Sequence, residues 1–342
     1  MSTRRWPILL LGTFAVALAI ALAISTLYRC SPRPPKLSGE LRTLALTAGG
    51  RDRTLSFYRP ASALQRPALL FALHGSKGDG EQMRRLFTGY GFDQLADQAG
   101  FIVVYPDGYE RHWNDCRISA DFAANTENID DIAFFRAMVD YFVREHGVDP
   151  ARIYATGISN GGHMVYRLGY EMPEVFAALA PVAANLPVAA NSDCNPAGQP
   201  VSMAIFNGTD DPINPYRGGL VEMLGDTSRG NVLSADDSAA YWAGLAHAGA
   251  AATTRYPELD GDERTWVERS TWRGDGAEVR LYALHGAGHL LPMRSPSIVA
   301  RTLSRPLGGL ATDLEGTAEI WDFFTSQRSR PAAVADPIAA GQ

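Results

Sequence analysis

The sequence predicts an α/β fold with a mostly parallel central sheet and helices on both faces. Two observations carry this. Short, continuous apolar runs bounded by turn residues recur along the chain, at 68–73 and 101–105, and Arg152 to Thr156 reads as the next strand. Such runs suit strands buried on both faces. Stretches with helical apolar spacing separate them, and strands alternating with helices imply crossover-connected parallel strands.

Taken in order, Leu41 to Leu46 and Thr54 to Tyr58 flank Ala48-Gly49-Gly50-Arg51 and read as an antiparallel hairpin with a glycine-rich turn. Ala68 to Leu73 is the first buried strand. Helical spacing covers Glu81 to Ala99, and the strand Phe101 to Tyr105 ends at Pro106-Asp107-Gly108. Residues 129–146 place Ile132, Phe135, Met138, Val139 and Phe142 on one helical stripe. Further strands are expected at 152–156, 177–183, 201–206 and 279–284. Ser234 with Asp237 resembles a capping box opening a helix through His247, and a last amphipathic helix is expected over 313–324.

The chain has 342 residues, 46% of them apolar, enough for one large α/β domain, expected here over residues 41–327. A net charge of -6 gives no electrostatic reason to expect a nucleic-acid partner. The N-terminal 30 residues differ from the rest. Arg4 and Arg5 precede an uncharged apolar run from Trp6 to Tyr28, long enough to span a bilayer. The flanking arginines would keep the short end cytoplasmic and send the body across. Residues 1–30 are therefore expected to be a signal peptide, cleaved near Ala21-Leu22-Ala23, or an uncleaved membrane anchor through residues 6–28. Residues 31–40, beginning Ser31-Pro32-Arg33-Pro34-Pro35, read as a Pro-rich linker, and the Ala/Pro-rich residues 328–342 as a disordered tail. The body is thus expected to be secreted or periplasmic. Of the three cysteines, Cys30, Cys116 and Cys194, none lies in a C-x-x-C arrangement, and there is no H-E-x-x-H. In an exported chain an isolated pair is more often a disulfide than a metal site, so no metal is implied.

Ligands of open parallel sheets bind at the carboxyl ends of the strands, so the chemistry is sought in the residues that follow each strand. Gly157-Ile158-Ser159-Asn160-Gly161 fits G-x-S-x-G, and it falls between the strand at 152–156 and the helical stretch 162–168. That context is the one in which a strained turn lifts a serine clear of an α/β-hydrolase sheet. A serine hydroxyl is a weak nucleophile and needs an imidazole to take its proton, with a carboxylate fixing the imidazole tautomer. In this fold the acid follows the serine and the histidine comes last. His163 and His247 fall in predicted helices. His285 and His289 follow the strand at 279–284, and Gly286 and Gly288 let the second bend back toward the serine, which makes His289 the expected base. One of Asp210 and Asp211, after the strand at 201–206, is the expected acid. The tetrahedral oxyanion needs donors as well. The main-chain N–H of Asn160 is one candidate, and that of Ser76, in His74-Gly75-Ser76 after the first buried strand, is the other.

These residues resemble the polyhydroxybutyrate depolymerase family, with feruloyl and acetylxylan esterases and the LpqC-type esterases. The resemblance covers about residues 41–326. It rests on Leu73-His74-Gly75, Val104-Tyr105-Pro106-Asp107-Gly108, Trp113-Asn114-Asp115, Asn128-Ile129-Asp130-Asp131, the serine motif with Gly162, Gly208 to Tyr216, and Gly286-Ala287-Gly288-His289. It implies an α/β-hydrolase fold and a serine carboxylic-ester hydrolase that needs no cofactor, with the acid at the aspartate before proline, Asp211, and the base at His289. The implied substrates are feruloyl or acetyl esters of plant-type polymers, with short-chain polyhydroxyalkanoate as the alternative. Leu290 and Leu291 stand where the family more often has Thr-Trp, and Cys116 where glycine is common. Cys116 and Cys194 are expected to pair in the exported protein. From a different class, a non-catalytic binding protein on a hydrolase scaffold would not need every catalytic position to be filled, as it is here.

Overall fold

A computed structural model of the protein describes residues 34–328 apart from 260, 262 and 297. The expected export segment, its cleavage site, Cys30 and nearly all of the expected tail lie outside the described residues.

The chain opens with the hairpin β1 (Glu40–Ala48) and β2 (Arg51–Arg59), whose register pairs Ala48 with Arg51. Gly49 and Gly50 form the two-residue turn, both at positive φ (57° and 74°), as a twist-matched hairpin turn requires. Then follow β3 (Leu69–Leu73), β4 (Ile102–Pro106), β5 (Ile153–Ile158), β6 (Ala178–Val182) and β7 (Ser202–Gly208). The short strands β8 (Gly219–Leu220) and β9 (Asn231–Val232) form a separate ribbon before β10 (Ala252–Arg255), β11 (Trp266–Gly274) and β12 (Ala277–His285). The large sheet runs β1-β2-β4-β3-β5-β6-β7-β12-β11-β10. Its centre, β4 to β12 in that order, is parallel, and antiparallel strands extend both edges.

Among the described residues, the helices of nine residues or more that cover the sheet are α1 (Gly91–Ala99), α2 (Asp131–His146), α3 (Asn160–Glu171), α4 (Ala235–Leu245) and α5 (Gly316–Thr325). Alternate residues of each buried strand point to opposite faces. Leu69, Phe71 and Leu73 of β3 therefore join Phe135, Met138, Met164, Leu168 and Trp242 from α2, α3 and α4 on one face. Leu70 and Ala72 join Phe92, Ala96, Ile320, Phe323 and Phe324 from α1 and α5 on the other. The chain leaves β3 for β4 by way of α1 and returns past β3 to β5 by way of α2, on the opposite face. Strand order reverses there, and ligands of such sheets bind at the carboxyl ends of the strands beside the reversal.

Local signals set several boundaries, the cap at Ser234 as expected. Asp130 caps α2 by accepting from Ala133 N–H, Gly147 ends it in the left-handed region, and Ser234 caps α4 by accepting from Asp237 N–H. Other boundaries differ. The helix expected over 81–99 is broken: one helical turn passes into a π-turn at Met83–Phe87, and Gly89 and Tyr90 adopt positive φ before α1 begins. The break turns Arg84 back so that its Nε lies 2.6 Å from Asp93 Oδ2, a pairing that a continuous helix nine residues apart would not allow. The linker expected at 31–40 is docked at its end. Ser38 N–H and Oγ bond the Asp97 carboxylate at 2.8 and 2.7 Å, Gly39 N–H donates to Tyr58 Oη at 2.7 Å, and Glu40 already belongs to β1. The edge strands β10 and β11 were not expected. All four residues of β10 are exposed, so it carries no buried-strand pattern, and it is held by pairing to β11.

Candidate active site

Ser159 directly follows β5 and has φ 56° and ψ −122°, a backbone conformation that a non-glycine residue holds only where its surroundings force it. The forcing is visible in the neighbours. A Cβ at Gly157 would lie 2.5 Å from the Gly161 carbonyl oxygen, and one at Gly161 would lie 2.5 Å from that of His74. Only glycine admits this crossing of β3's exit turn over the start of α3. The same proximity puts Gly75, by the position its Cβ would take, 3.2 Å from Ser159 Cβ. Ser76 and Asn160 follow directly on each side. Among the hydrogen bonds of the described residues, none is donated by the main-chain N–H of either.

His74 closes the β3 turn. Its Nδ1 donates to the Gly75 carbonyl at 2.7 Å and its Nε2 accepts from Gly108 N–H at 2.9 Å, so both nitrogens are used by one neutral tautomer. Burial pushes its pKa below the ordinary value, against the opposing pull of the Gly75 carbonyl.

Asp211 and His289 meet across two loops. His289 Nδ1 lies 2.7 Å from Asp211 Oδ2, and both side chains are nearly buried. The other carboxylate oxygen, Oδ1, accepts from the main-chain N–H of Ile213 at 2.8 Å and of Asn214 at 2.9 Å, which fixes the plane of the carboxylate. Asp210 is exposed, and its Oδ1 accepts from Thr209 Oγ1 at 3.0 Å. Of the two adjacent aspartates, the structure therefore brings Asp211 to the imidazole. The loops are laced together: Asp210 N–H donates to the Ala287 carbonyl at 3.0 Å and Gly286 N–H to Thr209 Oγ1 at 3.0 Å. A segment that the sequence did not mark, Leu307 to Gly309, backs them. His289 N–H donates to the Leu307 carbonyl at 2.7 Å and Gly288 N–H to that of Gly309 at 3.2 Å.

The remaining histidines have other surroundings. His285 is the last residue of β12 and stacks on Trp266 with ring centroids 3.6 Å apart. His247 falls just beyond α4, is exposed, and pairs with Asp275 at 2.8 Å. His163 lies on α3, one turn after Ser159, and is fully buried. Burial, then Arg117 and His289 nearby, push its pKa well below the ordinary value despite Asp115, so it is neutral.

Cys116 and Cys194 form a disulfide, with Cα atoms 5.1 Å apart. Among the described residues no group of three or more His, Cys, Asp or Glu is placed to hold a metal ion, and no helix is long and apolar enough to cross a membrane.

Comparisons with known proteins agree with this architecture. A family model described as Esterase PHB depolymerase matches residues 54–192, from β2 through the elbow to the segment carrying the second cysteine's neighbours. A putative esterase, NocK, of Nocardia uniformis is 29% identical over 272 residues, 76% of this chain and 76% of that one. An acetylxylan esterase of Coprinopsis cinerea is 33% identical over 152 residues, 43% of this chain but only 39% of its own length. The structure of an acetyl xylan esterase from Aspergillus awamori superposes with a TM-score of 0.51 at 19% identity, covering 75% of this chain and 96% of that one, which supports the fold. The chain has the α/β-hydrolase fold and is a carboxylic ester hydrolase. More particularly, residues 54–192 match the Esterase PHB depolymerase family model, and the chain is similar to acetylxylan and feruloyl esterases.

Proposed function

We propose that this chain is a serine esterase working through an acyl-Ser159 intermediate, with His289 as base and Asp211 as the acid that holds it. The observation that carries the reading is the 2.7 Å contact of His289 Nδ1 with Asp211 Oδ2, at the same sheet edge as a serine in the strained elbow conformation. With Nδ1–H given to the carboxylate, Nε2 is left as the imidazole's basic nitrogen. It takes the Ser159 proton as Oγ attacks the ester carbonyl, returns it to the leaving alcohol, and then activates water to release the acid. The oxyanion formed in each step accepts from the N–H groups of Ser76 and Asn160. Ser159→Ala is expected to abolish hydrolysis of every ester the wild type cleaves, together with covalent labelling by a fluorophosphonate. A folded mutant that retains more than a few per cent of activity would remove Ser159 from the nucleophile role.

The substrate class we favour is an acetyl or feruloyl ester on a plant-type polymer, because the Coprinopsis relative is named acetylxylan esterase and a further relative, from Neurospora crassa, 33% identical over 122 residues, is named feruloyl esterase B. Short-chain polyhydroxyalkanoate is the second reading, favoured by the description of the family model at 54–192. Rates on acetylated xylan, methyl ferulate and polyhydroxybutyrate particles, compared per mole of enzyme, separate the two. Export through residues 1–30, cleaved or retained as an anchor, is proposed on the sequence. A disulfide-bonded catalytic domain suits an oxidising compartment. Deleting residues 1–35 is expected to leave a soluble, active enzyme; activity and sedimentation of the truncated chain check this.

A further inference from the structure

The donors assigned to the oxyanion are main-chain amides on two separate elements, the β3 exit turn and the first residue of α3. No side chain can replace them, so their spacing must be set by whatever joins those elements. One buried network does so. Trp113 Nε1 donates to the His74 carbonyl at 3.0 Å, which ties it to the turn that carries Ser76. Its main-chain N–H donates to Asn160 Oδ1 at 2.8 Å, and Asn160 Nδ2 returns a bond to the Trp113 carbonyl at 3.0 Å. The same Nδ2 donates to Asp115 Oδ2 at 2.7 Å. Asp115 is anchored in turn by Arg117, whose main-chain N–H and Nε reach Oδ1 at 3.0 Å each and whose Nη2 reaches Oδ2 at 2.6 Å. Trp113, Asp115, Arg117 and Asn160 are all at most 2% exposed.

We propose that Trp113, Asp115 and the Asn160 side chain form a strut that sets the separation of the two oxyanion donors. They are positioning residues, and the inference rests on the acyl-serine reading given above. Nothing in the strut is exposed, yet one end is the side chain of Asn160, whose main-chain N–H is one donor, and the other end bonds the turn that leads to Ser76, the second. Both Asn160 amide atoms are engaged, and each Asp115 oxygen accepts two bonds, so the network has one satisfied arrangement and any shift leaves a buried polar group unpaired. Burial opposes ionisation of Asp115, but the Arg117 guanidinium and its hydrogen bonds prevail and hold the carboxyl below the usual range, which keeps the acceptor charged. Cys116, between the ion-pair partners, ties this segment through its disulfide to Cys194.

The test uses Trp113→Phe, which removes one N–H and little volume, and Asn160→Ala, which keeps the main-chain donor and removes its brace. Asp115→Asn is a third arm. For each variant, kcat and KM on p-nitrophenyl acetate and inhibition by phenylboronic acid, whose serine adduct is tetrahedral, are measured beside the circular-dichroism melting curve. Displacing an oxyanion donor is expected to cost less than deleting one, so kcat and kcat/KM should fall together by roughly 10- to 100-fold, with boronate affinity weakened in parallel. Trp113→Phe should melt within a few degrees of wild type, so it decides the matter if the other variants fold poorly. Folded Trp113→Phe and Asn160→Ala enzymes with kcat within twofold of wild type would overturn the strut, as would a fall in kcat with unchanged boronate affinity. Boronate binding that survives Ser159→Ala would instead overturn the acyl-serine reading beneath it.

Discussion

The two halves of the site are held by different means. Around Ser159 the backbone is packed so closely that glycine is required at 157 and 161, and buried side chains of Trp113, Asp115 and Asn160 brace the turn. Around His289 the loops are held chiefly by main-chain bonds, to each other and to Leu307 and Gly309, and the Asp211 carboxylate is the side chain that matters. The contrast teaches where sensitivity should lie. In the second half, changing the carboxylate itself should be far more damaging than changing its neighbour, whereas in the first half effects should travel through packing and bracing.

Asp211→Asn gives the largest expected effect. It keeps the shape of the side chain but favours the wrong imidazole tautomer, which in a serine protease of known mechanism lowers turnover by about four orders of magnitude. Turnover on p-nitrophenyl acetate, with folding checked by circular dichroism, reads it directly. Near-normal activity would mean that the 2.7 Å contact is structural only.

Removing the disulfide tests the bracing of the other half. Cys116→Ser with Cys194→Ser opens a loop spanning a sequence separation of 78 residues. In the chain-entropy model that lowers stability by about 4.5 kcal/mol, or on the order of 10 °C in melting temperature for a domain of this size. Calorimetry of the double variant against wild type measures it, and an unchanged melting temperature would show that the bridge stabilises nothing.

The smallest effect is expected at Asp210→Asn. Asp210 is exposed and bonds Thr209 rather than an imidazole, so kcat/KM should stay within about tenfold of wild type. If Asp210→Asn were the more damaging of the two aspartate changes, the acid would move to Asp210 and the contrast between the halves would fail.

Much of this was legible in the sequence because it is local. Continuous apolar runs mark β3 and β4 since both of their faces are covered, Ser234 marks a helix start since a cap bonds its own helix, and the G-x-S-x-G string marks the elbow since its crowding is between near neighbours. Pro212 also hinted at Asp211 over Asp210, because a residue before proline is confined to extended backbone. What the sequence could not decide depends on residues far apart in the chain. The break that turns Arg84 onto Asp93, the exposed edge strand β10, the backing of His289 by Leu307, and the joining of His74 to Asn160 through Trp113 all follow from which elements become neighbours in space. A hydrogen bond across 47 residues, such as Trp113 N–H to Asn160 Oδ1, leaves no periodicity in the sequence. The chain alone thus determined the fold class and the candidate triad, whereas the acid's orientation and the bracing of the oxyanion turn were decided by tertiary packing, because buried polar groups bond to whatever the fold brings beside them.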